Sequence, residues 1–439
     1  MLAPCESSAA GRTIIRDAEI ENIIREFTTP IFQAADLNPQ AVRIRLIQDK
    51  TLNAFVAGGQ NIFIHTGLIV QSRDPGALIG VIAHETGHIE GGHLTRTRDA
   101  IEDAKMLQTI TTILGAAVAV GSGRGDAGQA VMIGGQSAGL RSFLQYSQTQ
   151  ESAADQAAMR LLDATERSAS GLEGFLSQLG DQEVLSARFQ DPYAQTHPLS
   201  RDRLDALRDH IRRSPHSVRE STPAELAAHQ RMVAKLYAYG EPFAHVMRKY
   251  PETDTSFAAR YARAIAHYRK PDLDAALNAL APMIAENPND PYLWELKGQM
   301  LFEHGRGVEA LEAYRKANSY APREPLILLE LARVELETND PALLDHAIEH
   351  LNACHRMDGG SSFSWNQLGI AYGRKGDIGM SSLAMAESEF RGGSLSNATY
   401  HVGRAVETLP AGSSAQLKAQ DLQEVIKSER ERREREKNK

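Results

Sequence analysis

The second half of the chain repeats residue types at intervals of 34 residues, and this period limits its fold more than any other feature. Ala310 matches Ala276 one period earlier, and Pro322 matches Pro288. Each repeat of this length is a pair of helices, and stacked neighbours bury a continuous core. Small residues let two helices approach closely, and large residues fill the gaps between them. We therefore predict an all-α solenoid after residue 220.

The recurring positions follow the tetratricopeptide pattern. The first clear copy is carried by Trp294, Gly298, Ala310, Tyr314, Ala317 and Pro322. A later copy restarts at Trp365, Leu368, Gly369 and Tyr372. We predict a tetratricopeptide-repeat domain over residues 221–409, in which residues 223–255 and 398–406 cap or extend the array. Residues 410–439 are predicted to be a charged helical tail, because the last thirteen residues are almost all charged.

Composition excludes several classes of protein. The chain has 439 residues, which suits two or three domains, with 42% hydrophobic and 24% charged residues, as in soluble globular proteins. A net charge of −8 gives no reason to expect a nucleic-acid partner. The longest apolar run, Ile113–Val120, is too short to cross a membrane, and the first residues lack a complete signal peptide. Cys5 and Cys354 are too few for a disulfide framework or a cysteine-type zinc site.

The first half of the chain mixes strand and helix patterns. Residues 42–47 alternate as a half-buried strand does, and residues 52–56 and 61–64 flank a glycine turn. A helix is predicted from Asp74, an N-cap, through residue 88. We predict a disordered segment over residues 1–11 and an α+β domain, mostly helical with a small sheet, over residues 12–220.

The segment 121–139 is rich in glycine and poor in charge. Such a segment cannot build a rigid core, so we expect a loop between helices. Three roles stay open from the sequence: a plain linker, a lid beside the active site, and a peripheral membrane contact.

The strongest chemical signal is the sequence H-E-T-G-H at residues 84–88. His84 and His88 lie four residues apart on the predicted helix, so both imidazoles share one face and can reach a single metal ion at about 2.0 Å. Glu85 lies beside them, where a carboxylate can take a proton from an attacking water. Gly87 leaves room near the site, and the apolar residues before His84 indicate a buried helix.

A third metal ligand is needed, and the residues alone offer two candidates. His93 is near, but it comes one residue too early for the metzincin spacing, so we reject that class. Glu151 is the better candidate, because it shares a predicted helix face with Asp155. Asp155 could then accept a hydrogen bond from a ligating histidine and hold its tautomer. A solvated acidic helix face is the alternative explanation of Glu151 and Asp155.

Four motifs in order over about residues 15–215 resemble the M48 family of metallopeptidases. They are Asn53-Ala54-Phe55 with Gly58-Gly59, Ile62 and Gly67-Leu68; His84-Glu85-x-x-His88 with Ile89 and His93; Glu151-x-x-Ala154-Asp155; and Thr196-His197-Pro198 with Arg203. The resemblance implies a zincin-type fold and one zinc ion per chain, with His84, His88 and Glu151 as ligands. It implies that Glu85 is the general base and that Asp155 supports a ligand.

The resemblance has three further implications. The substrate-binding strand, formed by Asn53, Ala54, Phe55 and Val56, would line the cleft and pair with an extended peptide. Arg203 would stabilise the site or the developing oxyanion. His197 would occupy the open position of the metal in a resting state, so that its loop must move before catalysis.

With the repeats, the chain resembles periplasmic members of this family, which implies a periplasmic location although no signal peptide is visible. Two functions from different classes follow. One is an endopeptidase that cuts unfolded or misassembled proteins, with outer-membrane β-barrel proteins or their assembly machinery as partners of the repeats. The other is a chaperone-like scaffold that binds clients and carries a latent metal site. A structural zinc site is a third alternative, which only His197 as a fourth ligand supports.

Overall fold

A computed structural model of the chain describes residues 3–7, 13–93, 148–180, 193, 197 and 199–437. These residues form two compact units. One unit is residues 21–233, and the other combines residues 1–20 with residues 234–439. The predicted segment 121–139 and the apolar run 113–120 lie outside the described residues. None of the described helices is long and apolar enough to cross a membrane.

The sheet of the first unit contains β3 (Arg43–Ile47), β4 (Ala54–Ala57) and β5 (Asn61–His65). Strand β5 lies in the middle, parallel to β3 and antiparallel to β4. Gly58 and Gly59, both with positive φ, form the turn between β4 and β5 that the sequence predicts. In the described part of the chain, β4 has a neighbour on one side only and is an edge strand.

Among the described residues, five helices belong wholly to the first unit, together with most of α1 (Ala18–Ala34) and the start of α7 (Pro223–Gly240). They are α2 (Thr66–Gln71), α3 (Pro75–Glu90), α4 (residues 148–164 of the described chain), α5 (Ser170–Gly180) and α6 (Arg201–Arg213). Helix α3 is buried from Leu78 to His88 and packs closely on α5. A Cβ at Gly80 would lie 2.7 Å from the Cβ of Leu172, so this approach requires glycine. The core therefore holds α3 rigidly between the sheet and α5.

The second unit is all helical after α7. Its helices are α8 (Phe243–Lys249), α9 (Phe257–Arg269), α10 (Leu273–Glu286), α11 (Pro291–Glu303), α12 (Gly307–Tyr320), α13 (Pro325–Glu337), α14 (Leu344–Asp358), α15 (Ser362–Lys375), α16 (Ile378–Arg391), α17 (Leu395–Thr408) and α18 (Ser414–Lys437). From α9 to α17, successive helices pack on one another as antiparallel pairs of a solenoid do. A Cβ at Gly298 would lie 2.7 Å from Cδ2 of Tyr314, which is the close approach that the repeat pattern predicts. The predicted fold class is confirmed.

The division between the units differs from the predicted one near residue 220, because α7 belongs to both units. Its first part bonds to the first unit, where His229 Nε2 lies 2.7 Å from Ser72 Oγ. Its second part, with Ala234 and Ala238, joins the apolar core of the repeats. The composition changes where α7 begins, whereas the packing changes in its middle.

The N-terminus also departs from the predicted disorder. Residues Ala3–Ser7 form β1, which pairs antiparallel with β2 (Thr13–Arg16). Residues 13–20 group with the repeats because Asp17 and Glu19 each place a carboxylate within 2.9 Å of the buried Lys235 Nζ. Ala18 packs beside Ala317 of α12. These contacts are long-range, so no local pattern predicts them.

The charged tail is helical, as predicted, but it is not separate from the array. Ala419, Leu422 and Ile426 of α18 are buried in a cluster with Val402 and Ala405 of α17. The first half of α18 therefore completes the solenoid, and the charged residues that follow are largely exposed.

Candidate metal centre

Helix α3 carries the central part of the site. Asp74 caps it, since its side chain accepts a hydrogen bond of 2.7 Å from the N–H of Gly76, and Pro75 takes the first helical position. The sequence predicted the cap at Asp74. The spacing of four residues then places His84 and His88 on one face, with 3.1 Å between their Nε2 atoms. Both histidines are buried.

Helix α4 brings Glu151 to the same point. Its Oε2 lies 3.4 Å from His84 Nε2, and its Oε1 lies 3.4 Å from His88 Nε2. Gly87 allows this approach, because a Cβ there would lie 2.8 Å from the carbonyl oxygen of Ala154. Glu151 is therefore buried beside the two histidines and does not belong to a solvated acidic helix face.

His197 completes the group. Its Nδ1 lies 3.1 Å from Glu151 Oε2 and 3.4 Å from His84 Nε2. One ligand atom from each of His84, His88, Glu151 and His197 lies within 4.8 Å of the others, and all four residues are buried. Three imidazole nitrogens and one carboxylate oxygen are a donor set that suits a tetrahedral divalent ion such as zinc.

Asp155 and Arg203 contact the residues of this group and hold them in place. Asp155 Oδ1 lies 2.9 Å from His84 Nδ1, the ring nitrogen that faces away from the cluster. Arg203 binds Asp155 through Nε at 2.6 Å and Nη2 at 2.9 Å, and its Nη1 lies 3.1 Å from Glu151 Oε2. This position favours the first of the two roles predicted for Arg203, stabilisation of the site. Such a bidentate pair holds a carboxylate in one orientation.

The charges of the cluster shift its pKa values. Burial lowers the pKa of His84, but hydrogen bonds with Asp155 and Glu151 raise it more strongly, to about 9. Burial opposes ionisation of Glu151, yet His197 and His84 hold its pKa well below the usual range. Asp155 is buried too, and its hydrogen bonds with Arg203 and His84 lower its pKa. The carboxylates are therefore ionised at neutral pH, as metal binding requires.

Glu85 lies on the same helix, next to the cluster. Burial raises its pKa above the ordinary value. Its Oε1 has no hydrogen-bond partner among the described residues and lies 3.5 Å from His197 Nε2. The backbone of Val56 in β4 forms a hydrogen bond with the Glu85 carboxylate. A buried carboxylate with one unbonded oxygen is suited to accept a proton.

The predicted substrate strand coincides with β4 and the residue before it. Val56 contacts Glu85, as described above, which places the edge strand beside the cluster. Asn53 and Ala54 are buried, and the Phe55 ring stacks on Phe63 of β5 with 5.1 Å between centroids. The strand is thus held firmly by β5 on its inner side.

Sequence reasoning missed Tyr193. Its buried ring stacks on His197, with 4.3 Å between ring centroids and 25° between planes. The N–H of His197 also donates to the carbonyl oxygen of Tyr193 at 2.8 Å, so a backbone hydrogen bond joins the two residues as well. The spacing of four between an aromatic residue and His197 is the signal that could have found it.

The chain is similar to known proteins in both its first and its second half. The model of peptidase family M48 matches residues 15–211, and a tetratricopeptide-repeat model matches residues 261–319. The β-barrel assembly-enhancing protease of Yersinia pestis is 23% identical over 378 residues, which cover 85% of this chain and 76% of that protein. The protein of the same name from Escherichia coli K12 is 24% identical over 386 residues, which cover 87% and 76%.

The range that matches the peptidase family contains His84, His88, Glu151 and His197. A metallopeptidase family requires a metal, and the described residues bring four suitable donors together. Residues 15–211 are therefore a peptidase domain of family M48, and the chain is a metallopeptidase that carries tetratricopeptide repeats after this domain.

Proposed function

We propose that the chain is a zinc endopeptidase that hydrolyses peptide bonds of unfolded or misassembled proteins. The observation that carries this proposal is the buried group of three imidazoles and one carboxylate, with Glu85 beside it. His84, His88 and Glu151 would hold one zinc ion per chain. When bound, zinc supplies a Lewis acid that polarises the scissile carbonyl and acidifies water.

Glu85 is the proton carrier of the proposed reaction. Its unbonded Oε1 accepts the proton of the attacking water, and the same oxygen then passes this proton to the leaving amine. A carboxylate with an ordinary pKa would be a weak proton donor at neutral pH. The raised pKa of Glu85 makes its protonated form easier to reach, so one carboxyl group can both accept the proton from water and donate it to the amine.

Strand β4 would hold the substrate. Its outer edge has no strand partner among the described residues, so an extended peptide can add to it through backbone hydrogen bonds. Because Val56 also bonds to Glu85, a peptide on this edge would run beside the proton carrier. Backbone pairing selects unfolded segments and tolerates many side chains, which suits a quality-control protease.

His197 would act as a gate. A fourth protein ligand takes the place that water needs, so the His197 imidazole must move away before hydrolysis. The stack of Tyr193 on His197 holds the imidazole among the other ligands. This contact supports a resting state in which His197 is bound.

The resemblance extends the proposal to a location and to partners. We expect a periplasmic protein whose repeats bind outer-membrane β-barrel proteins or their assembly machinery, in line with the names of the relatives. A full-length chain with Glu85→Gln should retain an unfolded β-barrel protein and should not retain its folded form. Equal retention of both forms would contradict this choice of client.

The first experiment measures zinc content and casein cleavage in the same preparations. We expect about one zinc per chain in the wild type, loss of cleavage with zinc retained in Glu85→Gln, and faster cleavage in His197→Ala. Glu90→Gln is the matched control, because Glu90 is a glutamate of α3 that pairs with Arg160 on the surface. It should leave cleavage unchanged.

Each result separates one claim from the others. Cleavage by Glu85→Gln at the wild-type rate would contradict the role of the carboxylate. A His197→Ala variant no faster than wild type at equal zinc content would contradict the gate and leave the peptidase intact. Zinc binding without cleavage in every variant would favour the alternative of a client-binding scaffold with a latent metal site.

A further inference from the structure

His93 lies against the site, although the metzincin spacing rejects it as a ligand. Its ring is buried, with Nδ1 2.9 Å from Nδ1 of His88 and the ring planes at 77°. His88 directs its other nitrogen, Nε2, toward His84 and Glu151. His93 therefore touches the metal cluster through one of its ligands and not directly.

The chemistry of imidazole decides how these two rings interact. A neutral imidazole that uses the Nε2 lone pair for a ligand bond carries its proton on Nδ1. The Nδ1–H of His88 then needs an acceptor, and Nδ1 of His93 is at hydrogen-bond distance. His93 can accept only if its own proton is on Nε2. The contact is thus a hydrogen bond when His88 carries its proton on Nδ1 and His93 carries its proton on Nε2.

We propose that His93 is a positioning residue that accepts the Nδ1–H of His88 and fixes the orientation of that ligand ring. This inference rests on the proposed function, in which His88 binds zinc. His84 has Asp155 in the equivalent place, so each helix ligand has its own partner at the far nitrogen. Partners of this kind orient a ligand and raise its affinity for metal.

The local sequence is arranged to bring His93 back to His88. Gly91 has an ordinary helical φ of −69°, but a Cβ there would lie 2.7 Å from Cδ2 of His93 and overlap its ring. Gly92 has a φ of +61°, a left-handed conformation that turns the chain back after α3. Gln150 Nε2 donates to the His93 carbonyl oxygen at 3.3 Å, which ties this turn to the residue before Glu151.

The test measures the zinc dissociation constant of the full chain by competition with a chromogenic chelator. His93→Leu removes the acceptor and keeps an apolar side chain of similar reach. His93→Asn keeps an oxygen close to the place of Nδ1. We expect His93→Leu to weaken zinc binding by about 10- to 100-fold, the usual effect of losing such a partner, and His93→Asn to stay near wild type.

Gly91→Ala provides a second, independent variant. Its backbone conformation accepts alanine, so its effect must come from displacing the His93 ring. We expect Gly91→Ala to weaken zinc binding as His93→Leu does, and to have little further effect in a chain that already carries His93→Ala. Thermal unfolding of the metal-free proteins shows whether each variant is folded.

The outcomes are distinct. Wild-type affinity in His93→Leu would overturn the inference, and so would an equal loss in His93→Asn and His93→Leu, which would indicate packing alone. If the wild type itself binds no zinc, the proposed function fails and not only the role of His93. If the wild type binds zinc and cleaves casein while His93→Leu binds equally well, only this inference is wrong.

Discussion

Gly87 sets the distance between the two helices that supply the metal ligands, and Gly87→Ala is the sharpest test of this geometry. A Cβ at Gly87 would lie 2.8 Å from the Ala154 carbonyl oxygen and 3.0 Å from both Ala154 Cα and Ala157 Cβ. Ordinary contacts of this kind are 3.4 Å or longer. Helices α3 and α4 must therefore separate by about half an ångström to admit the methyl group.

Two effects on stability partly cancel in this variant. Overpacking of a buried contact costs about 1–3 kcal/mol, whereas alanine is favoured over glycine in a helix by about 1 kcal/mol. We expect the free energy of unfolding to fall by roughly 0–2 kcal/mol. The metal site is less tolerant, because ligand distances must hold within about 0.2 Å. Moving Glu151 away from His84 and His88 should weaken zinc binding by about 10-fold or more.

The assay is chelator competition for zinc, combined with urea unfolding of the metal-free chain. Gly80→Ala is the matched control on the same helix, because its Cβ would overlap Leu172 of α5, which carries no ligand. It should lower stability and leave zinc affinity unchanged. A Cβ at Gly174 would meet no atom within 4 Å, so Gly174→Ala should lower neither the stability nor the zinc affinity. Wild-type affinity in Gly87→Ala, or an equal loss in Gly80→Ala, would refute the reasoning.

Three further predictions concern other parts of the structure. Arg203→Met leaves two buried carboxylates without their cation, so zinc affinity should fall and unfolding should become easier by about 3–5 kcal/mol; wild-type affinity with a lower kcat would instead support the oxyanion role. Lys235→Met removes the cation between two buried carboxylates near the N-terminus, and urea unfolding should show a loss of about 3–5 kcal/mol. Gly298→Ala overlaps the Tyr314 ring and should destabilise the repeats by about 1–3 kcal/mol, measured by thermal unfolding, whereas Gly403→Ala, with open space at its Cβ, should not.

Part of the site could be predicted from short spacings alone. His84 and His88 share a face because any helix places residues four apart together. Asp74 and Pro75 mark the start of that helix by their own chemistry. The spacing of the residues left two explanations for Glu151, a metal ligand or part of a solvated acidic helix face. The resemblance to a known family then favoured the ligand.

Other contacts of the site could not be predicted from any local sequence pattern. Glu151 reaches His84 across 67 positions of the chain, and Tyr193 reaches the site through a stack on His197. His93 does not have the spacing of a metzincin ligand, yet the turn at Gly92 returns it to His88 as a hydrogen-bond partner. These arrangements depend on how the chain folds back, which periodicity does not describe.

The sequence by itself determined the local and repetitive features: the helix that bears the two histidines, the glycine turn between β4 and β5, and the helical solenoid with its 34-residue period. Each follows from interactions between residues that are close in the chain or recur at a constant interval. Only the tertiary structure decided that α7 belongs to two units and that residues 13–20 pack with the repeats. It also decided which carboxylate and which loop histidine join His84 and His88, because such choices depend on distances between segments far apart in the chain.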